Sequence, residues 1–235
     1  MQTGRRVLFE IVTPAANATA RALTTAANVR AIIGSPSGDD SMLTTLIDRA
    51  SAEMAKCAKL ARDAAGALPT FGSEACRATW AAAGWGLYTP PPWPQPGVDE
   101  SLVLPWRLPI STITSVVEDS VTLTAGTDFR LMPGGVLERL MNDAVVTWSR
   151  AKIVVLYTAG YSLPTSAPPD LEAAAIEQVK FWYLTRDRDP SLLSEIVTDV
   201  HQAAYSVAGG KSIGASGLLV SVEGALGAYT DRSQG

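Results

Sequence analysis

At 235 residues the chain is long enough for one sizeable domain or two small ones, and for a real core. Its 47% hydrophobic content leans on Ala, which buries little area per residue, and no run approaches the roughly 18 apolar residues of a membrane-crossing helix. A net charge of -4 speaks against a protein that coats nucleic acid, and two cysteines with one histidine leave a structural zinc site without its ordinary ligands.

The chain opens with Arg5 and Arg6, then only "VLF" before Glu10, so no secretory signal is expected and synthesis in the cytoplasm is. The first helix signal is "TTAANVRAIIG", with Thr24 or Thr25 as cap and Gly34 as stop. After the turn "SPSGDD", Asp40 is placed to cap a longer helix. Its apolar stripe runs through Leu43, Leu46, Ile47, Ala50, Met54, Cys57 and Ala61 at three- and four-residue steps. Helical structure is thus predicted over about 24–62.

The pattern breaks over about 68–98, where "TPPPWPQPG" holds prolines that forbid a helix and remove ladder donors. A stiff extended loop is expected there, although Pro91 and Pro94 also have the spacing of a groove-binding peptide. Cys57 and Cys76 form no C-x-x-C pair and read as small packed hydrophobes.

Residues of about 100–161 read as a small antiparallel sheet of four or five strands. "ITSVVED" and "VTLTAG" bracket a turn at Asp119 and Ser120, and Pro133-Gly134-Gly135 separates two further strand-like runs. "KIVVLYTAGY" is the strongest strand signal, rich in β-branched and aromatic residues. Helix then returns over about 169–206. Asp170 is the expected first cap, and Arg186 near the first helix's end suits its dipole. Asp189 with Pro190 starts a second helix with a stripe of Leu193, Ile196, Val197, Val200 and Ala204.

The fold expected is α+β: a mainly helical domain, residues 1–207, with the inserted sheet. A flexible glycine-rich tether and extended C-terminal arm follow over 208–235.

The search for chemistry yields no positive case for an enzyme, a cofactor or a metal. Gly210-Lys211-Ser212 has the ending of a phosphate-binding loop, but Tyr205 stands where that loop needs Gly, and a helical segment precedes it. His201 is expected mid-helix, with Asp199 on another face, which is no triad geometry. Asp39/Asp40 and Glu118/Asp119 are carboxylate pairs, yet they fall where a helix cap and a hairpin turn want acids.

Two features speak about assembly instead. Successive helical residues are rotated by about 100°, so Phe181, Trp182, Tyr183 and Leu184 point over about 300° of helix surface. Either that helix is central in its own domain or it is pressed between subunits, and the second is favoured. This makes Phe181, Trp182 and Tyr183 the candidate subunit interface. Leu218, Leu219, Val220, Leu226 and Tyr229 follow the tether and are candidates for docking on a partner, because an ordered apolar tail needs a groove. Removal of 208–235 is then expected to leave folding intact.

The ordered set "DDSMLTTLIDRASAEM", "LPWRLPISTITSVVEDSVTL", "FRLMPGGVLERL", "KIVVLYTAGY" and "PPDLEAAAIEQVKFWYLTRD" resembles the head-tail connector, or adaptor, proteins of long-tailed phages. The resemblance covers about residues 24–205. It departs from the family in "AKCAKLARDAAG" after the first long helix and in a hairpin turn without Gly. The Pro-rich 89–97 segment and the tether have no counterpart. The resemblance implies a ring, typically of twelve copies, in the neck of a virion. One face would bind the portal and the other a tail or stopper protein, with DNA passing through the lumen unbound. Net acidity suits such a lumen. The alternative, a DNA-packaging accessory touching DNA directly, needs a basic cluster, for which Lys180, Arg186 and Arg188 are the candidates.

Overall fold

The computed structural model describes residues 7–60, 68–81, 101–105, 109–149, 151–186, 194–197, 201–204 and 213–230. In chain order the elements are β1 (Val7–Thr13), α1 (Ala26–Ile33), α2 (Asp40–Cys57), β2 (Glu74–Trp80), β3 (Leu102–Val103), β4 (Ile110–Glu118) and β5 (Val121–Leu123). They continue with β6 (Phe129–Met132), β7 (Val136–Met141), β8 (Ala144–Val146), β9 (Ile153–Ala159), α3 (Pro169–Thr185), β10 (Ser194–Val197), β11 (His201–Ala204) and α4 (Val220–Leu226). The fold is α+β.

The main sheet is antiparallel, in the order β1-β2-β9-β4-β5. β9, the strongest strand in the sequence, lies at its centre. In β2 and β9 buried and half-buried residues alternate, as a pleated strand with one core face requires. Cys76, Ala78 and Trp80 of β2 and Ile153, Val155, Tyr157 and Ala159 of β9 face one core with Leu102, Phe129, Leu137 and Trp148. The last four come from, or lie beside, a second sheet ordered β3-β7-β6, with β8 paired to β7.

The β4–β5 hairpin turns at Asp119 and Ser120, with φ of 47° and 68°, and Glu118 pairs with Val121. Two consecutive left-handed residues make the mirror-type turn that matches strand twist. Asp and Ser do without Gly what the turn more often gives to Asn-Gly. At the end of β9, Gly160 has φ +108°, and a Cβ there would lie 2.3 Å from the Gly72 carbonyl oxygen. The "AGY" ending is therefore set by the close passage of residues 71–72, whose Phe71 carbonyl accepts the Tyr161 N–H at 2.9 Å.

The helices form a second layer of packing. Thr25 caps α1, its hydroxyl accepting the Asn28 N–H at 3.2 Å, and Gly34 closes the helix at φ 70°. α2 buries Leu43, Ile47, Ala50, Ser51, Met54 and Ala55. Its expected cap, Asp40, is the first helical residue instead; both of its carboxylate oxygens accept from Arg30 at 2.6 Å. Asp170 likewise lies inside the first turn of α3, behind Pro168 and Pro169.

Several expectations need correction. The sheet is not confined to 100–161, because β1 and β2 join it from earlier in the chain. α2 ends at Cys57 rather than near 62. Helix does not persist to 206: β10 and β11 pair antiparallel, with Val197 opposite His201. Within β10, Ile196 and Val197 are β-branched and lose rotamer freedom in a helix, which favours the strand. Of the residues read as a helical stripe, Ile196 and Val197 fall in β10 and Ala204 in β11, while Leu193 and Val200 lie outside the described residues. The C-terminal arm is not extended throughout, as residues 220–226 form α4.

Candidate assembly interface

α3 is central among the helices. It packs on α1, α2 and α4, and this accounts for most of its spread of large side chains. Phe181 and Trp182 lie against the cluster that holds α4, and Trp182 and Tyr183 against the cluster of α1 and α2. The Arg49 guanidinium sits 4.5 Å from the Trp182 ring centroid, and that of Arg186 4.0 Å from Tyr183. The Tyr183 hydroxyl donates to Asp39. The three aromatic side chains are half-buried, while Leu184 is 61% exposed. Of the two explanations for the aromatic run, central placement within the chain covers three directions; only Leu184 is left open.

The C-terminal residues meet their groove in the same chain. Leu218, Leu219 and Leu226, with Val222, are at most 1% exposed and pack with Met54, Leu171 and Phe71. The Leu219 N–H donates to the Oε1 of buried Gln178 at 2.8 Å. Tyr229 stands edge-on to Phe71, and its hydroxyl donates to the Asp170 carboxylate at 2.7 Å. Burial, then that carboxylate, pushes the Tyr229 phenol well above its ordinary range. Val220 alone of the five expected docking residues is largely exposed, at 48%. The groove looked for on a partner is supplied by α2 and α3, because these leucines complete the helical core.

The sheet side is different. β1 is one of the two outer strands, β5 being the other, and among the described residues it pairs with β2 alone. Phe9 and Ile11 turn inward, but Leu8 is 65% exposed and Val12 45%. The register shifts between Ile11 and Thr13, leaving Val7–Ile11 as regular open edge. The β-branched and aromatic run "VLFEIVT" is the sequence signal for this strand. A shallow groove between α1 and α3, lined by Ile32, Pro169, Glu172, Ala173, Ile176 and Lys180, is a further open surface.

The carboxylates singled out for chemistry have structural partners. Glu118 accepts the Ser149 N–H at 2.8 Å and pairs with Arg139 at 2.9 Å, which ties β4 to β7. Burial raises its pKa, but those bonds and the guanidinium outweigh it and hold the carboxyl below its usual range. Asp119 occupies the hairpin turn. Cys76 is fully buried, and burial pushes its thiol up to about 12; Cys57 is partly exposed. His201 lies in β11. Among the described residues no group of three His, Cys, Asp or Glu could hold a metal ion, and no helix is long and apolar enough to cross a membrane. Gly210-Lys211-Ser212, Pro91, Pro94 and Arg188 lie outside the described residues.

No family model and no curated protein matches the chain. Among solved structures it is similar to a chain in the neck of a native gene transfer agent particle computed with C12 symmetry. The identity is 18%, the TM-score 0.45, and the match covers 79% of this chain and 87% of that one. It is also similar to a chain in the virion of a native gene transfer agent particle, at 17% identity and TM-score 0.46, covering 79% and 88%. A chain in the neck of the empty particle, computed with C6 symmetry, gives 19% and 0.45 with the same coverage.

Proposed function

We propose that the chain is a structural head-tail connector of a tailed phage or phage-like particle. In this reading copies form a ring, twelve in the pattern the resemblance implies, at the virion neck. One face binds the portal, the other a tail or stopper protein, and DNA passes through the lumen without being gripped. The protein is made in the host cytoplasm, acts mechanically, and needs no cofactor.

The observation that carries this reading is the ordered set of connector-like motifs, whose described residues fall on definite elements, "FRLMPGGVLERL" on β6 and β7 among them. "DDSMLTTLIDRASAEM" covers α2, "STITSVVEDSVTL" the β4–β5 hairpin, "KIVVLYTAGY" the central strand with its required Gly160, and "PPDLEAAAIEQVKFWYLTRD" α3. The open end of α3, with Leu184 beside half-buried Phe181, Trp182 and Tyr183, is proposed as one subunit contact. Val220 is what α4 offers a portal or tail protein.

The DNA-contacting alternative is less well supported. Of its three candidates, Arg186 lies over Tyr183 and 4.0 Å from Asp39, Lys180 is exposed on α3, and Arg188 lies outside the described residues. Deleting the gene from its phage or particle should yield DNA-filled heads and separate tails in electron micrographs. Particles that remain joined without it would overturn the proposal.

A further inference from the structure

The main sheet has two outer strands, β1 at one end and β5 at the other. Among the described residues β1 pairs with β2 alone and β5 with β4 alone. β1 offers the regular run Val7–Ile11, and β5 offers Val121–Leu123. Neither run holds the Pro or Lys that commonly blunts an edge, and an unblunted edge accepts another strand. The two edges also carry the same kind of side chain. Val7 lies opposite Trp80 and shares its face with Phe9; Val121 lies opposite Glu118 and shares its face with Leu123. Trp80, Phe9 and Leu123 put that face on the core side of the sheet. Yet Val7 is 39% exposed and Val121 62%. A strand added beside either would cover it.

Topology selects the strand. Every neighbouring pair in the five-stranded sheet is antiparallel, so β1 and β5 run in the same direction. Their open sides face opposite ways. Copies related by rotation can therefore meet β5 to β1 with every copy the same way up, as a ring with distinct head and tail faces requires. Pairing β1 with a second β1 would be isologous and would stop at two copies related by a two-fold axis. We infer that the β5 edge of one copy adds to the β1 edge of the next as a parallel pair, carrying the main sheet across the subunit boundary. The contact joins two different surfaces, and heterologous contacts of this kind close into rings or run on as filaments. The inference rests on the ring reading above and names the surfaces that make the ring.

Two variants separate the halves of the contact. Val7→Lys with Leu8→Lys spoils the β1 edge and keeps β5. Val121→Lys with Thr122→Lys spoils the β5 edge and keeps β1. Sedimentation and electron microscopy of the full chain should show rings for the unaltered protein and monomers for each variant. An equal mixture of the two should form heterodimers and nothing larger, because one intact β1 edge meets one intact β5 edge. Rings from either variant alone, or a mixture without heterodimers, would overturn the edge-to-edge contact and leave the ring reading standing. Unaltered protein that stops at dimers would mean β1 meets β1, and would overturn both. Unaltered protein that stays monomeric at every concentration would do the same. Thermal unfolding unchanged from the unaltered monomer separates lost assembly from lost folding. Should a double variant fail to fold, Leu8→Lys or Thr122→Lys, each at an exposed position, takes its place with the same expected result.

Discussion

The helical and sheet parts of this chain treat their apolar surface in opposite ways. Around α3 almost every large side chain finds cover within the chain, down to α4, which closes the groove between α2 and α3. The main sheet buries one face against β3, β6 and β7 and, among the described residues, leaves its outer β1 edge unpaired, with Leu8 in solvent. A protein that assembles needs a unit that is stable alone and a surface that is not yet satisfied. Here the two duties fall on different layers.

The contrast breaks most severely if the C-terminal residues are removed. Ending the chain before residue 213 exposes Leu171, Met54 and Phe71 together, and the helical part should lose its cooperative transition in urea. An unchanged transition would make α4 a dispensable arm after all. Within α4, Leu226→Ala removes a side chain with 1% exposure and should cost about 3 kcal/mol in the same assay.

On the sheet side, Glu118→Ala takes a partner from Arg139 and the Ser149 N–H, and should cost about 2 kcal/mol. Because the folded carboxyl lies below its ordinary value, its contribution is fully present above about pH 4.3 and is lost as pH falls through the folded value. Glu118→Gln should flatten that acid limb of a stability-against-pH curve. Smaller again, Thr25→Ala loses the α1 cap and should cost about 1 kcal/mol by thermal unfolding. Leu8→Lys sits at the bottom of the scale, within about 0.5 kcal/mol, since an exposed edge residue contributes little to the monomer.

Much of the fold was legible in the sequence because local chemistry decides it. Thr25 and Gly34 bound α1 as read, Asp119-Ser120 turns the β4–β5 hairpin, and the β-branched density of 153–159 puts β9 at the sheet centre. Strand partnership was less legible. β2 alternates buried Cys76 and Ala78 with half-buried Arg77 and Thr79, and small or charged residues give such a strand little pattern of its own. Its place is set by β1 and β9, which are distant in sequence.

The assembly surface was legible only in part. The 300° spread of Phe181 to Leu184 marked a helix with many neighbours, but periodicity cannot say whether those belong to the same chain. The leucines after the tether marked a groove in the same way, and α2 with α3 provide it. Apolar side chains report that they need cover and not whose cover it is.

The division between a closed helical part and an open sheet edge can be read directly by hydrogen exchange on the free chain and on assembled rings. The account predicts new amide protection over β1 on assembly, with 218–226 already protected in the free chain and unchanged. Protection gained at 218–226, with β1 exchanging as before, would contradict it.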